Sequence, residues 1–279
     1  MPAAAYTSGL RTNMHRDFEN IFVEPESKEP LAYHGDVDGD RWTNGLLKSD
    51  GGKQIEVVDG SPLFAGIDKD PWGSDQKVAD YFAKLGRQPS QVVRGSYEQA
   101  TAGGGQRQQL AEEIDQILEV DGPIVEVNCG HGGGIAPLLL QDKPALPLIL
   151  ADLGRWLLHE WRDLAREQSW PKVSCAQISA EQLPFADESI GAITSMGGYA
   201  NAGVDSPALR EVSRVLRPGG YLLMLDARPD PSSFRRFPHD IRDELKEHYP
   251  AFGTGYPKLI KALGFSGGSY IETGRRPLG

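Results

Sequence analysis

From residue 105 onward, short apolar runs of strand length alternate with stretches whose apolar residues recur at helical spacing. That succession predicts an α/β fold, a mostly parallel sheet wound on both faces by helices. Residues 106–118 place Leu110, Ile114, Ile117 and Leu118 on one helical face. Ile124-Val125-Glu126-Val127 then reads as the first strand, and a helix starts over residues 135–140. The second strand is expected over residues 146–150, closed by Asp152, with a helix over 156–167. Strands three to five fall at 173–178, 190–195 and 221–225, with a helix at 207–216 between the last two. A late helix at 257–263 and a final strand at 265–272 complete the pattern.

Before residue 100 the periodicity is weaker. Residues 1–30 are polar, with acidic and proline content, and are expected as an extended, loosely packed lead-in. Between residues 42 and 64 apolar positions alternate and break at Ser49-Asp50-Gly51-Gly52 and Asp59-Gly60-Ser61-Pro62, which predicts a small hairpin or meander. Residues 78–85 have helical spacing, Ser96-Tyr97-Glu98 begins a lid-like segment, and Gly103-Gly104-Gly105 is a hinge. The expected organisation is an N-terminal extension of residues 1–100, a small β element with lid-like helices, ahead of a main domain at 101–279.

The chemistry concentrates where the first strand ends: Glu126-Val127-Asn128-Cys129-Gly130-His131-Gly132-Gly133-Gly134. Glycines let backbone approach a ligand, the following helix offers unpaired N–H groups, and a strand-tip carboxylate can accept hydrogen bonds from a ribose. A glycine-rich turn alone is equally a plain tight turn. The dinucleotide fingerprint G-x-G-x-x-G fails here, because the third position counted from Gly130 is Ile135.

Composition narrows the partners. A formal charge of −10 argues against a nucleic-acid backbone, which needs clustered Lys and Arg. The two cysteines, Cys129 and Cys175, make neither a disulfide framework nor a zinc site, so a reducing compartment and no metal are expected. No apolar leader core and no run of about eighteen apolar residues occurs, so the chain is expected to be soluble and cytoplasmic.

The Glu126–Gly132 stretch resembles motif I of the class I S-adenosylmethionine-dependent methyltransferases, acid-x-G-x-G-x-G, with Asn128 in place of the first glycine. Asn tolerates left-handed backbone better than other side-chain-bearing residues. Three further stretches match in order. Asp152 closes the second strand; Glu181-Gln182-Leu183-Pro184-Phe185-Ala186-Asp187 resembles the loop ahead of the fourth; Leu216-Arg217-Pro218-Gly219-Gly220 resembles the turn entering the fifth. The chain is identified as a member of that superfamily, close to its small-molecule, methyltransferase type 11-like branch. The resemblance covers roughly residues 105–275 and implies a Rossmann-like methyltransferase fold. Residues 42–64 also look like the zinc-ribbon-like lead-in of some relatives, without its cysteines.

What the resemblance implies is S-adenosylmethionine as cofactor, a small-molecule methyl acceptor, and methyl transfer by in-line displacement promoted mainly by proximity. Glu126, Asn128, Cys129, Gly130, His131 and Gly132 would line the cofactor, with Asp152 and Leu153 at its ribose, Ser179, Ala180 and Glu181 at its adenine, and Met196 near the methyl group. Ser179 and Gly191 stand where the family commonly has acids. Tyr199 either closes the pocket over the methyl or is a packed aromatic. His239 is either a base or part of a helix-capping segment. The alternatives are a catalytically silent cofactor-binding protein and a nicotinamide-dependent oxidoreductase.

Overall fold

The computed structural model describes residues 14–65, 70, 75–84, 86, 88–102, 105–131, 134–199, 206–225 and 271–275. Strands β1 (Ala32–Asp38), β2 (Arg41–Lys48), β3 (Gln54–Val58) and β4 (Ser61–Pro62) form an antiparallel meander in that order. In β3 the alternation is plain: Ile55 and Val57 face inward, Gln54, Glu56 and Val58 outward. Asp59 and Gly60 both take positive φ, 47° and 73°, between the paired Val58 and Ser61. This is the two-residue hairpin that an Asp-Gly pair favours. Strand β1 was not expected, because as an exposed edge strand it carries no alternating apolar face.

Helices α1 (Asp75–Lys84) and α2 (Pro89–Thr101) follow, so Ser96-Tyr97-Glu98 lies inside a helix. The single helix expected over 106–118 is broken into α3 (Gly105–Gln109) and α4 (Ala111–Leu118) at Leu110, whose φ of −109° and ψ of 21° leave the helical region. Then come β5 (Ile124–Val127), α5 (Ala136–Asp142), β6 (Leu148–Asp152), α6 (Arg155–Glu167), β7 (Val173–Gln177), β8 (Ile190–Met196), α7 (Ala208–Val215), β9 (Leu216–Leu225) and β10 (Ile271–Arg275). The sheet order is β10-β9-β8-β5-β6-β7, with β10 antiparallel and the rest parallel. The chain leaves β5 towards β6 and β7, then crosses back to β8, so the order reverses beside β5. Ligands of such sheets bind outside the carboxyl ends at that reversal.

Strand β9 begins five residues earlier than expected. Leu216 already pairs with Ile190, and the Pro-Gly-Gly run is carried within the strand with Gly219 at φ 78°, where a chain reversal was expected. The helix expected at 257–263 lies outside the described residues.

One face of the sheet packs with α4, α5 and α6, and with Phe82 of α1 and Val92 and Val93 of α2. On the other face, Trp42, Leu47, Ile55 and Val57 of the N-terminal meander share a core with Val125, Ile149, Ala176 and Met224 of the parallel sheet. The lead-in is part of it. Met14, Phe18 and Phe22 are buried, and Phe22 forms a bridge to Phe185, contrary to the loose packing expected. The polarity of its sequence concealed three apolar residues spaced four apart. Arg41 donates from Nη1 to the Val173 carbonyl (3.1 Å), and burial pulls its guanidinium down to about 10. Because the core is common, Trp42→Ala should cost about 3–5 kcal/mol. Denaturant unfolding should remain one transition by fluorescence and circular dichroism; two separated transitions would show that the meander folds independently.

Candidate functional site

Glu126 is fully buried in the middle of β5. Its Oε1 accepts the Ile135 N–H (3.1 Å), its Oε2 accepts the Ala136 N–H, and the Thr194 hydroxyl of β8 donates to Oε2 at 3.3 Å. The carboxylate therefore caps α5, whose first N–H groups have no partner within the helix. The oxygens of Glu126, expected at the cofactor, are turned into the protein towards these three donors. The same packing explains Gly134, where a Cβ would lie 1.7 Å from Glu126 Oε1.

Between β5 and α5 two of the described residues are left-handed, Asn128 at φ 56° and Gly130 at φ 54°, so Asn takes a conformation that glycine adopts at lower cost. The turn is pinned from three sides. Cys129 N–H donates to the Ala151 carbonyl (3.0 Å), Trp161 Nε1 of α6 donates to the Gly130 carbonyl (2.9 Å), and Asp152 Oδ2 accepts the Gly130 N–H (2.9 Å). Asp152 Oδ1 accepts the Gly154 N–H at 2.9 Å. Burial raises the Asp152 carboxyl, while these amides and that of Leu153 lower it. Each oxygen retains a lone pair for a further donor, and the residue is half-buried at the tip of β6.

Residues 125–224 match a family model described as a methyltransferase domain. That match covers 100 of the chain's 279 residues. Phthiotriol/phenolphthiotriol dimycocerosates methyltransferase 1 of Mycobacterium ulcerans is 40% identical over 106 residues, 38% of this chain and 38% of that protein. The fatty-acid O-methyltransferase of Mycolicibacterium smegmatis is 37% identical over 122 residues, 43% of each chain. The chain thus spans less than half the length of these curated relatives. The solved structure of CurJ carbon methyltransferase superposes with a TM-score of 0.50 at 14% identity, over 68% of this chain and 59% of that one, which shows a shared fold.

The remaining expected site residues separate into three groups. Gly130, His131, Leu153, Ser179, Glu181 and Met196 lie at or just beyond the carboxyl ends of the strands and are half-buried or exposed. Leu153 uses its carbonyl to accept from Gln177 Nε2 (2.9 Å), and Ser179 Oγ accepts the Glu181 N–H (3.3 Å). Ala180 is buried, and Glu181 Oε1 accepts the Ser206 hydroxyl (2.9 Å). Cys129 and Tyr199 are core side chains instead. Burial pushes the Cys129 thiol well up, and Tyr199 is 0% exposed among the residues packed against the meander face. Alternation along a strand and its turn decides which side chains face inward, which the motif spacing did not reveal. Gly132 and His239 lie outside the described residues.

Sequence reasoning missed several residues at this site. Thr194 completes the Glu126 cap. Gln177 holds the β6 tip and takes Arg155 Nε on Oε1 (3.3 Å), and Asp70 Oδ2 accepts the Arg155 N–H (3.0 Å). Ser96 Oγ lies 3.4 Å from His131 Nδ1. No spacing signal marks these contacts, because they join segments far apart in the chain. Gly191, expected as a change in the pocket, is steric: a Cβ there would lie 2.2 Å from the Asp121 carbonyl oxygen.

Burial pushes the Glu126 carboxyl up to about 7, outweighing the two backbone amides and the Thr194 hydroxyl that pull it down. The folded protein therefore keeps a proton that the unfolded chain releases near 4.5. This group's contribution to stability is complete below the unfolded value and is lost as pH rises through the folded one, by about 3 kcal/mol. Glu126→Gln has no such proton to lose. The unfolding free energy of the wild type minus that of the variant should fall by about that amount between pH 4.5 and 8, and a flat difference would refute the assignment.

Proposed function

We propose that the chain transfers the methyl group of S-adenosylmethionine to a small-molecule acceptor. The observation that carries this reading is the Asp152 carboxylate, held by the Gly130 and Gly154 amides at the reversal of strand order, half-buried and with lone pairs left to accept. That donor-poor, acceptor-rich tip suits a ribose diol, and the turn it pins is the one matched by the methyltransferase family model. The relatives named above are methyltransferases of phthiotriol/phenolphthiotriol dimycocerosates and of fatty acids, which are small molecules.

Bound S-adenosylmethionine supplies a methyl group already activated by the positive sulfur, so the protein's work is mainly positional. Asp152 fixes the ribose, and the backbone of Asn128 to Gly130 forms the floor beneath the sulfonium end. Ser179, Ala180 and Glu181 flank the adenine, and Met196 and the loop after β8 border the acceptor. Tyr199, wholly enclosed, packs in the core beneath the end of β8, and a base, where the acceptor needs one, is assigned to His239. We assign the N-terminal hundred residues to closing the site. Supporting this, Asp70 reaches α6, Ser96 reaches His131, and Phe64 N–H donates to the Gln177 carbonyl at the tip of β7 (2.9 Å). Among the described residues no helix is long and apolar enough to cross a membrane. The two buried free thiols suit a cytoplasmic protein.

Calorimetric titration with S-adenosylmethionine, S-adenosylhomocysteine and NAD tests the reading. The first two should bind and NAD should not, and Asp152→Ala should weaken binding of both roughly 10- to 150-fold, the loss of a charge-assisted hydrogen bond. Binding of NAD alone would make the protein an oxidoreductase. Unchanged affinity in the variant would remove Asp152 from the site.

A further inference from the structure

Asp152 owes part of its orientation to the turn between β6 and α6. Its Oδ1 accepts the Gly154 N–H, and Gly154 lies between Leu153 and Arg155. Both of those neighbours are held by one side chain. Gln177, the last residue of β7, pairs with Asp152 across the strands and is 0% exposed. Its Nε2 donates to the Leu153 carbonyl (2.9 Å), and its Oε1 accepts from Arg155 Nε (3.3 Å). One amide thus spends its donor on the residue before Gly154 and its acceptor on the residue after it, a combination that neither a carboxylate nor an apolar side chain offers.

Gln177 is itself held from outside the sheet. Strand β7 ends the six-stranded order, and on its outer side Leu63 forms a parallel bridge to Gln177 while Phe64 N–H donates to the Gln177 carbonyl (2.9 Å). On the inner side the Ile178 N–H donates to the Asp152 carbonyl (3.0 Å), the last hydrogen bond of the β6–β7 pairing. The amide therefore has a fixed base from which to hold the turn. Building on the proposed function, we infer that Gln177 is a positioning residue of the cofactor site: without touching the ligand, it sets affinity by fixing the Leu153–Arg155 turn whose Gly154 amide aims the Asp152 carboxylate. A glutamine whose hydrogen bonds served only to offset its own burial would affect stability, and its effect on binding would not depend on Asp152.

A double-mutant cycle between Gln177 and Asp152 separates the two roles. Gln177→Met removes both hydrogen bonds at nearly unchanged size, and Gln177→Leu removes them with a shorter, branched chain. Circular dichroism and melting temperature establish which variants are folded, and either one carries the test. Titrated calorimetrically in the full chain, a folded variant should bind S-adenosylmethionine and S-adenosylhomocysteine about tenfold more weakly than the wild type, the scale of lost hydrogen bonds. In the Asp152→Ala background the same substitution should cost at most about twofold more, because the group that Gln177 orients is gone. Equal losses with and without Asp152, wild-type affinity in a folded variant, or failure of both variants to fold would make Gln177 a structural residue only and overturn the inference. A wild type that binds neither compound overturns the proposed function instead, and leaves Gln177 nothing to position.

Discussion

Everything at the carboxyl edge of the parallel sheet depends on one buried carboxylate. Glu126 takes the first two N–H groups of α5 and the hydroxyl of Thr194, so a single side chain fixes β5, β8 and the start of α5 relative to one another. Removing it would leave those donors unsatisfied in the buried interior, at a cost of several kcal/mol. Gly134 follows from the same contact, since no side chain fits between that residue and Oε1. With both ends of the loop fixed, the backbone between them has few paths, and the left-handed conformations at Asn128 and Gly130 are part of the one it takes.

A second layer of contacts makes the turn independent of its own sequence. The Ala151 carbonyl, the Trp161 indole and the Asp152 carboxylate hold it from β6 and α6. Strain of the order of 1 kcal/mol at a non-glycine left-handed residue persists only when its surroundings over-determine it. That condition is met here, which is why the substitution of the first motif glycine leaves the fold intact. The N-terminal region adds its own restraint on the neighbouring tip, where Asp70 binds the first amide of α6 and Phe64 binds the last residue of β7.

The strands and the long helices were legible because their apolar periodicity reports burial directly, and the motif could be read because its residues are adjacent. What was illegible required three dimensions. Strand β1 is an edge with an exposed surface and left no alternation to read. The lead-in reads as polar because Arg16, Asp17 and Glu19 crowd around Phe18 and its few apolar residues show no long periodic run, although Met14, Phe18 and Phe22 are buried in one core. Gly191 looked like a missing acid until the Asp121 carbonyl was found against it. Sequence spacing counts residues along the chain, whereas each of these outcomes is decided by what comes from elsewhere to meet them.

The two acids at the strand tips make the same point through register. Both were expected to bind the cofactor, being carboxylates at the ends of adjacent strands. In the sheet, Glu126 pairs with Leu150 and Val127 with Ala151, so Asp152 stands two residues further towards the crevice than Glu126. At about 3.3 Å per residue that is roughly 7 Å, with the two side chains on the same face. The deeper acid is level with the start of α5 and is consumed by it. The outer acid stands at the sheet edge, takes the Gly130 amide on one oxygen and the Gly154 amide on the other, and stays partly open. A difference of two positions in register therefore divides two chemically equivalent side chains into one that builds the turn and one left to bind what lies above it.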